Sequence, residues 1–319
     1  MFAYAVRRLL STIPLLALGT FIVFWGVSAI GDPLARLATC TTCDESAYQR
    51  LIDLYELDKS VPERYVSWIG DVLTGDFGTS TSLGESPVSG IIWDRFGNTL
   101  LLAVPAFLLI AVLAISISVF SAIRQYSLGD YAITGLSFLG ISMPTFFVAI
   151  LLQVFWGQYF PDWTGMKPFF VHGKHDDTLL ELLGSMTLPV ITLMAVVTAT
   201  ESRFGRSSML EVINADYIRT ARAKGLSERR VVFRHALRNA LIPLVTIWAL
   251  DFAALLSGSV VTETVFSWPG LGPLLVSSIE AQDLDLIMAI VLLIAVLVVM
   301  FNLIADLLYG VLDPRIRYG

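Results

Sequence analysis

Six long hydrophobic runs constrain the fold of this chain more than any other feature. They cover Leu9–Ile30, Phe96–Ile123, Tyr131–Pro161, Leu182–Thr200, Asn239–Thr262 and Leu286–Ala305. Only the fifth run contains a charged residue, Asp251. A helix needs about 20 apolar residues to cross the hydrocarbon core of a bilayer, and these runs have that length. The sequence therefore predicts an all-α polytopic membrane protein with about six transmembrane helices.

Composition supports the membrane class and leaves no room for a soluble domain. Hydrophobic residues make up 55% of the chain, above the roughly 45 to 50% of soluble domains. Arg7 and Arg8 precede the first run, as in a secretory signal, and Val27-Ser28-Ala29 resembles a cleavage site. The run is longer than the about 7 to 15 apolar residues of a signal peptide, so we predict that it stays as a helix.

The polar stretch Glu201–Asn239 predicts the orientation of the chain. It holds nine Lys and Arg residues against four Asp and Glu, in a chain with a formal net charge of −6. Loops on the cytoplasmic side of a membrane accumulate Lys and Arg. Since six spans return the chain to its starting side, we predict that both termini are cytoplasmic.

This orientation predicts a domain organisation in four parts. Residues 1–30 form the cytoplasmic N-terminus and the first transmembrane helix, and residues 31–97 form an external region. Residues 98–310 form a core of five transmembrane helices that carries the cytoplasmic loop 201–239. Residues 311–319 form a cytoplasmic C-terminal tail.

Within the polar stretch, the sequence predicts two short helices hinged at a glycine. Asp216 is placed to cap a helix over Tyr217–Lys224, and Gly225 to end it in the left-handed conformation. Ser227 followed by Glu228 offers a second helix start. Arg234 and Arg238 then lie near its far end, where the helix dipole favours cations.

Two segments of this stretch resemble a known family. Arg219-Thr220-Ala221-Arg222-Ala223-Lys224-Gly225-Leu226-Ser227 and His235-Ala236-Leu237-Arg238-Asn239-Ala240-Leu241-Ile242-Pro243 are similar to the cytoplasmic loop of bacterial ABC-transporter permeases, dipeptide and oligopeptide branch. The general family loop begins with Glu-Ala-Ala, where this chain has Arg219-Thr220-Ala221, and Pro243 lies further from Gly225 than usual. Both departures are typical of peptide-type permeases. Glu263–Gly272 and Asp313–Arg317 also resemble this family, so the resemblance covers nearly the whole chain.

The resemblance implies a type I ABC importer permease fold and a B-type permease subunit in the bacterial cytoplasmic membrane. In the family, the loop forms a coupling helix that sits in a groove of the ATPase subunit. The residues carried over to this coupling role are Tyr217, Arg219, Thr220, Ala221, Arg222, Ala223, Lys224 and Gly225. The implied partners are a second, different permease, two ATPase subunits and an external substrate-binding protein. ATP and Mg would bind those ATPases, and no cofactor is expected in this chain.

Polar residues inside the spans are candidates for the transport pathway. A carboxylate exposed to lipid is costly, so Asp251 should face the bundle interior or a wet pathway. There it would attract a peptide amino terminus when ionised, or bond a neighbouring helix when protonated. Glu263 would line the external mouth of the pathway or cap the bundle. Pro144, inside the third span, should bend or loosen that helix.

The external region offers fewer functional signals. Leu57–Tyr65 leads into a short amphipathic helix, which either packs against the membrane or contacts a substrate-binding protein. We predict a local disulfide between Cys40 and Cys43, because the external side is oxidising. In the second external loop, His172, His175, Asp176 and Asp177 have a spacing that suits zinc or nickel, but a surface loop carries such residues without a ligand. We predict no metal site.

The chain lacks the sequence motifs of an ATPase or a hydrolase. No Gly-x-x-x-x-Gly-Lys-Ser/Thr loop, Gly-x-Ser-x-Gly elbow or His-Glu-x-x-His helix occurs. We therefore predict no catalytic residues, and no nucleic-acid partner. Two alternatives to a peptide permease stay open: a permease for nickel, glutathione or another small solute, and a secondary transporter driven by protons or sodium.

Overall fold

The computed structural model describes residues 2–30, 49, 52 and 56–312. The predicted disulfide between Cys40 and Cys43 and the family-like ending at Asp313–Arg317 lie outside the described residues. The division into residues 1–30, 31–97, 98–310 and 311–319 stays a prediction.

The described part of the chain consists almost entirely of helices. The helices are α1 (Phe2–Ile30), α2 (Val61–Thr74), α3 (Val88–Ile123), α4 (Leu128–Ser142), α5 (Thr145–Val154), α6 (Phe160–Thr164), α7 (Leu179–Ile213), α8 (Asp216–Ala223), α9 (Glu228–Arg230), α10 (Leu237–Val265), α11 (Leu271–Glu280) and α12 (Leu284–Leu312). Two π-helical segments, Phe155–Tyr159 and Val231–Ala236, join α5 to α6 and α9 to α10. The strands β1 (Thr79–Ser80) and β2 (Ser86–Pro87) form an antiparallel hairpin.

The predicted polytopic helical architecture is confirmed. Among the described residues, five helices are long and apolar enough to cross a membrane, and the number is six if the bent pair that begins at Leu128 counts as one span. The fourth span extends beyond its prediction, because α7 continues as a helix to Ile213. The first part of the polar stretch Glu201–Asn239 is therefore helical and not a loop.

The third span is broken where the sequence places its proline. α4 ends at Ser142 and α5 begins at Thr145, and the two segments are bent by 106°. Met143 has an extended backbone with ψ 128°, and Pro144 is the N-cap of α5. Helical backbone angles are unfavourable for a residue that precedes proline. The proline itself is tolerated in the first turn of the next helix. The predicted bend is confirmed as a complete break.

The contacts divide the chain into two compact units, each of which is described by itself. The first comprises Met1–Val6, Asn98–Pro269 and Val298–Gly319. Its central helix is α7, which packs against α4, α5 and α10. The second unit comprises Arg7–Gly97 and Gly270–Leu297.

In the second unit, two polar clusters fix short elements to long helices. The Tyr65 hydroxyl donates to the carbonyl of Ala17 at 2.7 Å, which ties α2 to α1. The fully buried Asp283, just before α12, accepts hydrogen bonds from the Ser80 and Ser82 hydroxyls at 2.7 and 2.6 Å. These bonds hold the hairpin against the start of α12. The predicted amphipathic helix is confirmed as α2.

In the first unit, α7 approaches its neighbours closely at Gly205. A Cβ atom built on this glycine lies 3.0 Å from Ser118 Cβ of α3 and 3.2 Å from Leu244 Cδ1 of α10. Small residues allow helices in membranes to pack closely, and this packing replaces the hydrophobic effect as their driving force. Gly205 is therefore a contact point of three spans.

We expect Gly205→Leu to destabilise the first unit by about 1 to 3 kcal/mol, because the added side chain overpacks this contact. The matched control is Gly135→Leu, since Gly135 of α4 is exposed and its added Cβ meets no atom within 4 Å. Thermal unfolding of the purified chain in detergent measures both. Equal unfolding temperatures for the two variants would contradict the close packing at Gly205.

Candidate functional site

The short helix α8 begins and ends close to its predicted positions. Its N-cap is Ala215, which has an extended backbone, and Asp216 is the first helical residue. The prediction that Asp216 caps the helix is therefore wrong by one position. Asp216 still places a negative charge in the first turn, where it interacts favourably with the helix dipole. Gly225 has φ +74° and donates its backbone N–H to the Arg222 carbonyl at 2.9 Å, so the predicted left-handed end is confirmed.

The second helix starts as predicted but does not end where expected. Ser227 is the N-cap of α9, with its first helical residue at Glu228. The chain then stays helical through the π-helical segment Val231–Ala236 into α10. Arg234 and Arg238 therefore do not lie near a helix end. The hinge at Gly225 thus joins a short helix to the start of a span.

One face of α8 is anchored in the bundle. Ile218 is fully buried and Ala221 is 8% exposed. Both belong to a hydrophobic cluster that also contains Val119 and Ala122 of α3, Met209 of α7, Val231, Val232 and Ala236 of the π-helical segment, and Ala240 of α10. Because these residues come from three spans, Ile218 and Ala221 anchor α8 to the bundle.

The opposite face of α8 is exposed. The exposed residues of α8 and of its C-cap Lys224 are Asp216, Tyr217, Arg219, Thr220, Arg222, Ala223 and Lys224. Arg222 bonds Glu228 across the Gly225 turn, with Nε to Oε1 at 2.8 Å. Asn239 Nδ2 donates to the Tyr217 hydroxyl at 2.9 Å, which links α8 to the start of α10. The segment is thus fixed on one side and free on the other for a further contact.

We expect Ile218→Ala to loosen α8, because the loss of a fully buried isoleucine costs about 2 to 5 kcal/mol. Hydrogen exchange of the backbone amides at 216–225 should become faster. Thr220→Ala is the matched control, since the Thr220 side chain is exposed and bonds the Asp216 carbonyl of its own helix. Unchanged exchange in the Ile218 variant would contradict the anchoring.

An ion pair between a buried carboxylate and a half-buried arginine of the first unit was not predicted from the sequence. Asp130, at the start of α4, accepts two hydrogen bonds from Arg206 of α7, from Nε at 3.1 Å and from Nη2 at 2.9 Å. It also accepts the backbone N–H of Tyr126 at 3.0 Å. Its side chain is 4% exposed. The α3–α4 turn is therefore clamped to α7 by one carboxylate.

The predicted pathway residue Asp251 lies beside a second acid. Its carboxyl group lies beside that of Glu201 on α7, and Trp248 Nε1 donates to Glu201 Oε2 at 3.0 Å. Glu201 is 2% exposed, whereas Asp251 is half-buried. Glu201 was predicted to lie in the polar stretch and not in a span. A helical spacing could have indicated its place in a span: Thr198, Glu201 and Gly205 follow one another at intervals of three and four residues and lie on one face of α7.

The second pathway candidate, Glu263, is fully buried. It accepts a hydrogen bond from the Ser259 hydroxyl at 3.0 Å, one turn earlier on α10. Just beyond α10, Trp268 Nε1 donates to the Asn98 carbonyl at 2.9 Å, and Asn98 Nδ2 donates to the Pro269 carbonyl at 2.9 Å. The structure does not bring Glu263 together with Asp251 in any described hydrogen bond.

The histidine-containing loop is held by local contacts. The His175 ring stacks on Phe170 with ring centroids 4.1 Å apart. Lys174 pairs with Asp176 at 2.7 Å, and this ammonium lowers the pKa of the Asp176 carboxyl. Among the described residues, no group of three or more His, Cys, Asp or Glu side chains is arranged to hold a metal ion.

The fold and this site define a polytopic α-helical permease with the type I ABC importer fold. Residues 114–318 match the family described as the binding-protein-dependent transport system inner membrane component. Residues 1–103 match the N-terminal family of the same membrane components. The chain belongs to the binding-protein-dependent transport system inner membrane components.

Curated relatives match the chain over its full length. It is 40% identical over 323 residues to the oligopeptide transport system permease protein AppB of Bacillus subtilis, covering 100% of both chains. It is 36% identical over 338 residues to the dipeptide transport system permease protein DppB of Escherichia coli K12, covering 100% of this chain and 99% of the relative. It is 38% identical over 323 residues to the oligopeptide transport system permease protein OppB of Mycobacterium bovis, covering 98% of each.

A solved structure shares the fold. The chain is similar to the crystal structure of an amino acid ABC transporter with histidines, with a TM-score of 0.52 and 12% identity. The similarity covers 69% of this chain and 94% of that chain. At this identity the likeness concerns the fold alone.

Proposed function

We propose that the chain is a permease subunit of an ATP-driven importer for dipeptides or oligopeptides, and that it forms half of the translocation pathway. The full-length relatives named as oligopeptide and dipeptide permeases support this function. The observation that carries the coupling part of the proposal is the two-faced helix α8. Its buried face holds Ile218 and Ala221 in the bundle, and its basic outer face is free.

Coupling follows from this arrangement. Cytoplasmic ATPase subunits grip the outer face of α8, and closure of the ATPases on ATP shifts α8 against α3, α7 and α10. A shift of this kind biases the bundle towards an outward-open state only if the ATPases bind the two states with different affinity. The chain itself supplies no catalytic residue, and ATP and Mg bind to the partner subunits.

The orientation of the chain supports the same proposal. The side that carries α8 also carries the basic residues of the stretch up to Arg238, so this side is cytoplasmic by the positive-inside rule. Both termini then lie in the cytoplasm of a bacterial cell. An external substrate-binding protein delivers the peptide to the opposite side, and a second, different permease completes the pathway.

Asp251 is the pathway residue that the proposal favours. It is half-buried near the middle of its span, and the adjacent Glu201 adds a second carboxyl group. Charged or polar residues within a membrane commonly mark a substrate path. The full burial of Glu263 favours a role in capping the bundle over one at the mouth of the pathway.

The test is affinity purification of the tagged chain in mild detergent, with identification of the proteins that co-purify. We expect two ATPase subunits and a second permease, and ATP hydrolysis that rises when peptides and the external binding protein are added. A chain that purifies without any ATPase would contradict the proposal.

A further inference from the structure

Two acidic side chains of the first unit lie side by side where α7 packs against α10. The Asp251 carboxyl group lies beside that of Glu201, which is 2% exposed, and Asp251 is half-buried. Within the part of the chain that the structure describes, neither carboxyl group forms an ion pair with Lys, Arg or His. Two carboxylates in contact repel each other where water is scarce, unless a proton or a cation lies between them.

The contacts between α7 and α10 define their register. A Cβ atom built on Gly205 lies 3.2 Å from Leu244 Cδ1. Four residues earlier on α7, Glu201 accepts a hydrogen bond from Trp248, which lies four residues later on α10. The two helices therefore run antiparallel, and one turn back along α7 corresponds to one turn forward along α10.

This register places a third polar group beside the two acids. Thr198 lies one turn before Glu201 on the same face of α7, and Asp251 lies one turn beyond Trp248 on α10, so Thr198 lies at the level of Asp251. Thr198 is 9% exposed, and its Oγ1 has no hydrogen-bond partner among the described residues. Buried hydroxyl groups are normally hydrogen bonded, and a threonine in a helix often bonds the carbonyl four residues earlier. The Thr198 hydroxyl is therefore free to bond a ligand at this place.

These side chains form a set of hydrogen-bond acceptors, which we call the carboxyl site: Thr198, Glu201 and Asp251. One Glu201 oxygen accepts from Trp248 Nε1 at 3.0 Å, which leaves the other oxygen for a ligand. The site thus offers an acceptor from each of three residues together with negative charge. A primary ammonium group has one positive charge and three N–H donors, so it matches this set in number and in charge.

We propose that the carboxyl site binds the ammonium group at the amino terminus of a peptide substrate. This inference rests on the proposed function, in which the solute is a peptide, and it adds Thr198 and Glu201 to the pathway residue Asp251. Trp248 is a positioning residue, because its N–H holds the Glu201 carboxyl group. Since linear peptides share this ammonium group, the site recognises them whatever their side chains are.

The test uses Trp248 as a reporter, because its indole bonds Glu201. The full-length chain is labelled with fluorotryptophan and placed in lipid nanodiscs, and Trp248→Phe assigns its signal in the fluorine NMR spectrum. Two probes are titrated: trialanine amide, which has a free amino terminus, and N-acetyl-trialanine amide, which has none. We expect trialanine amide to shift the Trp248 signal in a saturable way and the acetylated probe to leave it unchanged.

Two variants test the members of the carboxyl site. Asp251→Asn should weaken the binding of trialanine amide more than about tenfold, because it removes a charged acceptor, and Thr198→Val should weaken it about fivefold, the usual effect of one hydrogen bond. Thr192→Val is the matched control, since Thr192 is also buried on α7 but its hydroxyl bonds the Leu188 carbonyl at 3.0 Å. It should leave the affinity unchanged. Equal effects of the two threonine variants would overturn the proposed set of acceptors.

The comparison of the two probes on the native chain decides the proposal even if a variant fails to fold. Equal shifts with both probes, or a shift with neither, would overturn it. A shift with sodium chloride but with neither peptide would overturn it in favour of a sodium site. ATP-dependent peptide uptake by a complex whose Trp248 signal does not respond would overturn the carboxyl site alone. A chain that binds trialanine amide but purifies without any ATPase would overturn the importer alone.

Discussion

Replacement of both Arg219 and Lys224 by glutamate is expected to abolish ATP-dependent peptide uptake while the chain still folds. Arg219 lies on the exposed face of α8 and Lys224 is its exposed C-cap, and both lie outside the buried cluster of Ile218 and Ala221. The Arg219 side chain is 72% exposed and pairs with the exposed Asp216 at 3.4 Å. Loss of such an exposed pair changes stability by about 1 kcal/mol at most.

The effect on coupling should be much larger than the effect on stability. A surface that binds a basic helix presents complementary charge, and like charges brought together at an interface cost several kcal/mol, so we expect uptake to fall by about two orders of magnitude. Uptake by reconstituted vesicles measures the loss of transport. Co-purification of the ATPases measures the loss of their binding.

Lys167→Glu is the matched control for this double variant. Lys167 is exposed in the loop between α6 and α7, at the other end of α7 from α8. Its reversal should leave ATPase binding unchanged. If the double variant binds the ATPases as the native chain does, α8 is not the coupling helix.

The second large effect is expected at the pair of Asp130 and Arg206. Asp130→Ala should destabilise the first unit by about 1 to 3 kcal/mol, because it removes charge-assisted hydrogen bonds between α4 and α7, while Arg206, which is 31% exposed, stays in contact with water. The same change also removes the acceptor for the Tyr126 amide. Thermal unfolding of the purified chain measures the loss.

Two further variants distinguish the stability that the Asp130–Arg206 pair contributes from the effect of removing any charged side chain. Asp216→Ala breaks an exposed pair and should cost less than about 1 kcal/mol. The exchange of the two residues, Asp130→Arg with Arg206→Asp, should recover part of the stability that Asp130→Ala loses. An Asp130→Ala chain as stable as the Asp216→Ala chain would contradict the role of the pair.

The spans could be predicted from the sequence because membrane insertion depends on local composition. A backbone in hydrocarbon must satisfy its hydrogen bonds internally, so each charge-free run must be a helix. The break near Pro144 was also predictable from local sequence, because a proline restricts its own backbone and that of the residue before it. The extent of α7 was not, because Glu201 and Arg206 resemble loop residues until their partners on other helices are known.

The candidate site was predictable in its position and only partly in its geometry. Gly225 indicated the hinge directly, because only a glycine takes a left-handed turn without strain. The burial of Ile218 depends on contacts with α3 and α10, which lie far away in the sequence. Asp130 and Glu201 were missed because each is defined by a partner that is distant in the sequence.

ATP-dependent uptake tests the proposed function most directly. Proteoliposomes would contain this chain with the permease and ATPases that co-purify with it, and labelled trialanine would be offered with the external binding protein. We expect uptake that requires ATP and is lost when Arg219 and Lys224 are both replaced by glutamate. Uptake that proceeds without ATP and collapses with the proton gradient would contradict it and indicate a secondary transporter.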